Sequence, residues 1–330
     1  MKLTIINMYG TMNKTKLLPR IVFFGTPEFA RYCLAYIIEK GFEIVAVVTA
    51  PDRKAGRGKK MTPPIVKTYS LANGIVVFQP DNLKNKQFIS DLKSLAPDIQ
   101  VVVAFRMLPK VVWEIPTLGT LNLHASLLPN FRGAAPINWA IIEGEKETGV
   151  TTFLINEQID TGAILLQEQI PLLDTYNAQT LHDALLIIGA PLLAKTLIRL
   201  SEGTLNPKPQ FIKGNEKGAP KLTSENTKLD LNQSLKEIVL KIRGLDPYPG
   251  AWLNFNEGNE TVRMKLFQAE AIYEENTEPI HHLIIKEDKI LIVVKEGYLK
   301  CIEIQLPNKR RMHAKDLLNG YSFPKNCQIF

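Results

Sequence analysis

Two polar side chains interrupt the apolar stretch Leu121-Asn122-Leu123-His124-Ala125-Ser126-Leu127-Leu128-Pro129, and they stand two residues apart. Along an extended backbone that spacing places Asn122 and His124 on one face. An amide that donates and an imidazole that donates or accepts suit a carbonyl under attack, whose oxygen becomes negative. At 36 positions beyond His124, Ile159-Asp160-Thr161-Gly162 puts a carboxylate on a turn. A carboxylate there can fix an imidazole's tautomer or raise its basicity. Singly, a histidine at a strand end and an aspartate on a turn are ordinary structural residues. Together, amide, imidazole and carboxylate make an acyl-transfer set.

Such a set needs a rigid frame. Ile21 to Phe24 is a short β-branched and aromatic run closed by Gly25, and a helix is expected from Pro27 to Lys40. Strands are expected at Glu43–Val48, Ile75–Phe78, Ile99–Ala104 and Thr120–Leu123, the third apolar on both faces as central parallel strands are. This alternation predicts an α/β domain with a Rossmann-like, doubly wound parallel sheet, whose strand ends are where ligands gather. Thr180-Leu181-His182-Asp183 reads as the capping box of a helix running to Leu200. Residues 204–228, rich in Pro, Lys, Asn and Gly, read as a linker, one that can wrap along the first domain. Beyond it come one helix, about Asn232–Arg243, and short strands at Trp252–Phe255, Val262–Leu266, Leu291–Lys295 and Leu299–Leu306. They predict a small OB-like β-barrel over residues 229–330, after a catalytic domain over 20–203 and an N-terminal extension over 1–19.

At 330 residues the chain suits two domains better than one, and its 45% hydrophobic and 22% charged composition excludes wholesale disorder. No apolar run approaches the ~18 residues of a membrane helix, and the extension is too interrupted for a signal peptide. Cys33, Cys301 and Cys327 are too scattered for a disulfide scaffold or a zinc site, and the five histidines lack metal-ligand spacing. A reducing, cytoplasmic setting and a monomer are expected. The net charge is +7, split +4 and +3 about residue 203 (21 basic and 17 acidic before it, 19 and 16 after). Asp52-Arg53-Lys54-Ala55-Gly56-Arg57-Gly58-Lys59-Lys60 accounts for the whole +4 of the first part. Its two glycines place these cations on a flexible loop. Lys309-Arg310-Arg311, with His313 and Lys315, is the clearest basic run of the second domain.

Gly25-Thr26-Pro27-Glu28 occupies the turn where a dinucleotide fold carries G-x-G-x-x-G, and it lacks the later glycines. A carboxylate there would repel pyrophosphate, so nicotinamide is excluded.

Phe24-Gly25-Thr26-Pro27-Glu28-Phe29, Pro51-Asp52-Arg53 with Ala55 to Lys60, His124 to Pro136, Thr148-Gly149-Val150-Thr151 and Asp160-Thr161-Gly162 closely resemble the methionyl-tRNA formyltransferases. The similarity runs from residue 20 to about 320, across both expected domains. The trio with Ser-Leu-Leu-Pro is shared by wider folate-dependent formyltransferases, while the basic loop and the β-domain are more specific. The resemblance implies 10-formyltetrahydrofolate as donor cosubstrate and initiator methionyl-tRNA as acceptor, with no metal, nicotinamide or membrane. It implies Asn122, His124 and Asp160 as catalytic residues and backbone groups of Ser126, Leu127, Leu128 and Pro129 as folate contacts. It also implies Arg53, Lys54, Arg57, Lys59 and Lys60, with Lys309, Arg310 and Arg311, as tRNA contacts. One stretch departs from the pattern: Phe105-Arg106-Met107-Leu108-Pro109 is one residue tighter, with Arg106 where glycine is expected.

Two other readings stay open at this point. A small amine, an amino sugar or a nucleotide, could replace aminoacyl-tRNA as acceptor; deletion of residues 204–330 would then spare activity. A non-catalytic RNA-binding module is the other, against which the intact trio argues.

Overall fold

A computed structural model describes residues 18–330 apart from 56, 57 and 59. Most of the expected N-terminal extension, together with Arg57 and Lys59, therefore lies outside the described residues.

The first domain alternates strand and helix. In order come β1 (Arg20–Gly25), α1 (Glu28–Glu39), β2 (Glu43–Val48), β3 (Arg53–Ala55), β4 (Lys60–Thr62), α2 (Ile65–Ala72), β5 (Val77–Phe78), α3 (Lys86–Ser94), β6 (Ile99–Val103), α4 (Lys110–Trp113) and β7 (Thr120–His124). Then follow β8 (Arg132–Gly133), α5 (Pro136–Ile142), β9 (Glu147–Leu154), β10 (Ile164–Pro171) and α6 (Ala178–Ser201). The sheet order is β10-β9-β7-β6-β1-β2-β5. Five strands are parallel, and β9 and β10 extend the sheet as an antiparallel edge. Odd positions of β1 pack Ile21 and Phe23 beneath α1 and α6, while Val22 and Phe24 pack beneath α3 and α4. Helices on both faces make the sheet doubly wound.

Three local expectations need correction. The cation-rich stretch after Asp52 is a hairpin, in which β3 pairs antiparallel with β4 from Arg53↔Thr62 to Ala55↔Lys60. Gly58 lies in a turn between the two strands, and a glycine there does not forbid strands on either side. Helix α6 starts three residues earlier than Leu181, capped by Asn177, whose side chain accepts from the Thr180 backbone while Thr180 bonds back. That same helix is long and apolar enough to cross a membrane by length and composition, contrary to the expectation of no such run. It is a core helix, with Leu181, Leu185, Leu192, Leu193 and Leu197 buried against the sheet.

The chain then returns along the first domain as β11 (Gly218–Ala219), which pairs in parallel with β8. Helix α7 (Leu235–Leu245) opens on Ser234 and Glu237, a reciprocal cap. The barrel is β12 (Ala251–Glu257), β13 (Glu260–Tyr273), β14 (His282–Lys286), β15 (Lys289–Val294), β16 (Gly297–Gln305), β17 (Met312–His313) and β18 (Cys327–Gln328), with α8 (Ala314–Leu318) before the last strand. Strand order is β12-β13-β16-β15-β14-β18, with β17 on β16. Asn254 and Phe330 exchange both backbone hydrogen bonds, 2.9 Å each, and bring the ends of that order together. Its interior, with Leu253, Phe255, Met264, Leu266, Ile292 and Ile304, is sealed by Leu235, Ile238 and Ile242 of α7. The domains meet where Asn138 of α5 donates to the Gly244 carbonyl at 2.7 Å, and where Asn177 donates to Asp246 at 2.7 Å.

Candidate active site

Strand β7 delivers the two residues on which the site depends. Leu121 and Leu123 turn into the core, so alternation sends Asn122 and His124 to the other side. There they line a cleft of about 730 Å³ at the carboxyl edge of the parallel strands, together with Asp160. The three are thus brought together as expected. The Asn122 side chain makes no hydrogen bond among the described residues, so its amide donor is free to serve an occupant of the cleft.

His124 is 6% exposed, and its Nε2 lies 2.9 Å from the Phe131 carbonyl. A carbonyl only accepts, so Nε2 carries the proton and a neutral ring keeps its lone pair on Nδ1. Nδ1 faces Asp160 Oδ2 at 3.7 Å. Two acceptors facing across that gap are bridged when a proton sits on Nδ1, or when an N–H or a water enters between them. The arrangement is that of a proton acceptor.

Asp160 is set by backbone geometry. Its φ is +55°, and its Oδ2 accepts from the Gly133 amide at 2.9 Å. A side chain at Gly162 would place its Cβ 1.6 Å from the Leu154 carbonyl oxygen, so the Asp-Thr-Gly turn requires glycine. Gly133, at φ +125°, would place a Cβ 2.4 Å from the Ala219 carbonyl oxygen of β11. The turn bearing the carboxylate and the loop that binds it are therefore both packed to the limit of their backbones.

Ser126, Leu127, Leu128 and Pro129 do not line the cleft. Ser126 is buried and its hydroxyl donates to the Asn130 carbonyl at 2.7 Å. Thr151 Oγ1 donates to the Ser126 carbonyl at 2.6 Å and accepts from the Leu128 amide at 3.2 Å. The Leu128 carbonyl accepts from Gln167 at 3.0 Å. Those backbone groups are satisfied internally and brace His124 from behind. The cleft wall is instead Ala104–Leu108 and Ile155–Ile159, with Met107 and Ile159 exposed at its rim. Arg106 is not at a position needing left-handed backbone; Ala104 is, at φ +48°. The Arg106 guanidinium binds the Asp81 carbonyl at 2.8 Å and the Pro80 carbonyl, tying this wall to a neighbouring loop.

The basic residues part company. The hairpin leaves the carboxyl end of β2, three strand spacings or about 14 Å along the sheet from β7. Asp52 anchors its base, accepting from Gln79 at 2.7 Å and from Lys67 at 2.8 Å. Those bonds, that of Gln79 foremost, hold the Asp52 carboxyl below the usual carboxylate range. Arg53, Lys54 and Lys60 are exposed on the strands. In the barrel, Lys309 and Arg310 are exposed, but Arg311 lies over Phe267 and pairs with Asp246 at 2.5 Å and with Glu303. Arg311, expected to meet RNA with its two neighbours, differs from them in that its charge is already matched within the protein.

One contributor went unseen in the sequence. Gln210, in the linker, donates to the carbonyls of Asp160 at 2.8 Å and Gly162 at 2.9 Å, while its oxygen accepts from Arg132. Its partners lie 48 to 78 residues away, a distance at which no local pattern gives a signal.

A doubly wound sheet carrying amide, imidazole and carboxylate at its carboxyl edge defines an acyl-transfer fold, and sequence comparison gives its class. The profile described as formyl transferase matches residues 19–197, and that of the formyl transferase C-terminal domain matches residues 221–322. A methionyl-tRNA formyltransferase of Flavobacterium johnsoniae is 46% identical over 311 residues, which cover 94% of this chain and 99% of that protein. One of Bacteroides thetaiotaomicron is 43% identical over 307 residues, 92% and 95% of the two chains. The chain belongs to the methionyl-tRNA formyltransferase family. Among solved structures, WlaRD, a sugar 3N-formyl transferase crystallised in the presence of dTDP and 5-N-formyl-THF, superposes with a TM-score of 0.59. It shares 20% sequence identity and covers 89% of this chain and 99% of its own, a likeness of fold.

Proposed function

We infer that this protein transfers the formyl group of 10-formyltetrahydrofolate to the free α-amine of initiator methionyl-tRNA. The family relationship supports this acceptor over an amino sugar or nucleotide amine. The observation that carries the chemistry is the convergence of a free amide on Asn122, the Nδ1 lone pair of His124 and the Asp160 carboxylate on one cleft.

The amine attacks the formyl carbon, forming the new C–N bond and a tetrahedral intermediate. Asn122 donates to the oxygen as it becomes negative, a contribution of ~3 kcal/mol to the barrier. The attacking nitrogen must lose a proton. His124 Nδ1 takes it, since Nε2 is committed to Phe131, and Asp160 stabilises the resulting imidazolium across the gap. The bond to the folate nitrogen then breaks, and the proton passes to that leaving nitrogen. The exposed apolar side chains of Met107 and Ile159 offer contacts for the donor's ring, and Ser126 to Pro129 act through His124. Arg53, Lys54, Arg57, Lys59 and Lys60 meet the acceptor arm, with Lys309 and Arg310 as further phosphate contacts. A cytoplasmic monomer suits this substrate pair.

Transfer of labelled formyl from 10-formyltetrahydrofolate tests the proposal, run on methionyl-tRNA, uncharged tRNA and a small amine. Product on methionyl-tRNA alone, with Asn122→Ala and His124→Ala each reducing kcat about 100-fold or more, is expected. Product on the small amine would overturn the acceptor, and full activity in His124→Ala would overturn the mechanism.

A further inference from the structure

We propose that Gln210 is a positioning residue of the active site, through which the linker sets the catalytic carboxylate. The inference rests on the role assigned to Asp160 above. It concerns a side chain that does not line the cleft and touches no reacting atom.

Gln210 uses both ends of its amide. The Nε2 group donates to the carbonyls of Asp160 and Gly162, 2.8 and 2.9 Å away, and so spans the turn whose far end, Gly162, packs against Leu154. The Oε1 atom accepts from Arg132 Nε at 3.1 Å and from its terminal nitrogen at 2.5 Å. Arg132 immediately precedes Gly133, whose amide holds Asp160 Oδ2. One side chain therefore ties the backbone of the carboxylate's turn to the loop that binds the carboxylate.

Thr161 also holds this turn, donating to Asn156 Oδ1 at 2.9 Å, while Gln210 joins it to Arg132. Asp160 sits at φ +55°, a left-handed conformation that aspartate tolerates better than most side chains but that its surroundings help to hold. The two carbonyls bonded by Gln210 are that residue's own and the one two positions on, so they hold the chain as it leaves that position. Without them restrained, the turn can relax and carry Oδ2 away from its 3.7 Å station opposite His124 Nδ1. An ångström of displacement at a reacting pair is a large kinetic penalty. The linker itself is held by a backbone exchange between Lys208 and Ile164, 2.8 Å in each direction, and by β11 on β8, so Gln210 is presented from a fixed strand of chain.

The two ends of the amide also make the idea testable by separation. Gln210→Ala removes all four bonds. Gln210→Glu keeps acceptors for Arg132 but replaces the donor by an oxygen that repels the two carbonyls. Formylation of methionyl-tRNA by the full-length chain would be measured for both variants and for Asp160→Asn, with thermal midpoints recorded alongside. The expected result is a fall in kcat of roughly 10- to 100-fold in both Gln210 variants, with KM for each substrate within about twofold. Asp160→Asn should fall at least as far. A Gln210→Glu enzyme with wild-type kcat would overturn the proposal, because the Arg132 clamp alone would then suffice. So would a Gln210→Ala enzyme with wild-type kcat beside a crippled Asp160→Asn. An Asp160→Asn enzyme with full activity would overturn the role of Asp160 itself, and the inference with it.

Discussion

The basic hairpin of the first domain and the basic run of the barrel look alike in sequence and differ in the folded chain. In the hairpin, the one nearby carboxylate, Asp52, is occupied by Lys67 and Gln79 at the base, and Arg53, Lys54 and Lys60 have no ion pair among the described residues. In the barrel, the third cation of Lys309-Arg310-Arg311 is consumed by Asp246 and Glu303 at the seam between domains. Asp246 is also bonded by Asn177, the cap of α6, so the cluster reaches from one domain into the other. Density of charge in a sequence is thus distinct from charge available to a polyanion. Position relative to carboxylates decides, and that is a property of the fold.

The largest effect that would break or sharpen this contrast is on RNA binding. Replacing Arg53, Lys54 and Lys60 together by glutamate should reduce kcat/KM for methionyl-tRNA about 100-fold. It should also flatten its salt dependence by about one logarithmic slope for each cation that meets a phosphate. The thermal midpoint should stay put; an unchanged salt slope would remove the hairpin from the RNA interface. Arg311→Ala should act the other way round. It leaves Asp246 without its cationic partner and should cost about 2 kcal/mol of stability, with the salt slope unaltered. Calorimetry together with a salt titration decides this, and a flatter slope would show Arg311 to be an RNA contact after all. Lys309→Ala with Arg310→Ala should weaken tRNA affinity only a few-fold, measured by filter binding, without change in stability.

The smallest effect concerns Asp52. Its carboxyl is held below the usual range, so the anchoring it provides is complete above the ordinary carboxylate pKa and is lost as pH falls through the lower folded value. Affinity for tRNA should therefore be flat from neutral pH down to about pH 5, with loss of anchoring beginning below about pH 4. Asp52→Asn should raise KM for tRNA about twofold at neutral pH.

The frame and the chemistry were readable in sequence to different depths. Strand Glu43–Val48 was found to the residue, and the central strand and β7 to within one residue, because apolar runs closed by glycine or turn residues are a local signal. Alternation placed Asn122 and His124 on one face, and both line the cleft. Strands β9 and β10 were not anticipated. β9 is buried on both faces yet rich in threonine, and its hydroxyls are satisfied by partners such as Thr196 and the Ser126 carbonyl far along the chain. The hairpin was hidden by its glycines. The resemblance made backbone groups of Ser126 to Pro129 folate contacts, and only the folded bonds of Thr151 and Gln167 show groups of that loop already satisfied.

The pairing of β11 with β8 has a consequence in time. A ribosome releases the chain from its amino end, so Asn122, His124 and Asp160 emerge long before Gly218 and Ala219. Until residues 217 to 219 arrive, the amides of Phe131, Ala134 and Ala135 lack the carbonyls of Lys217 and Ala219. A nascent or prematurely ended chain thus holds the three side chains of the proposed site without this brace on the loop beside them.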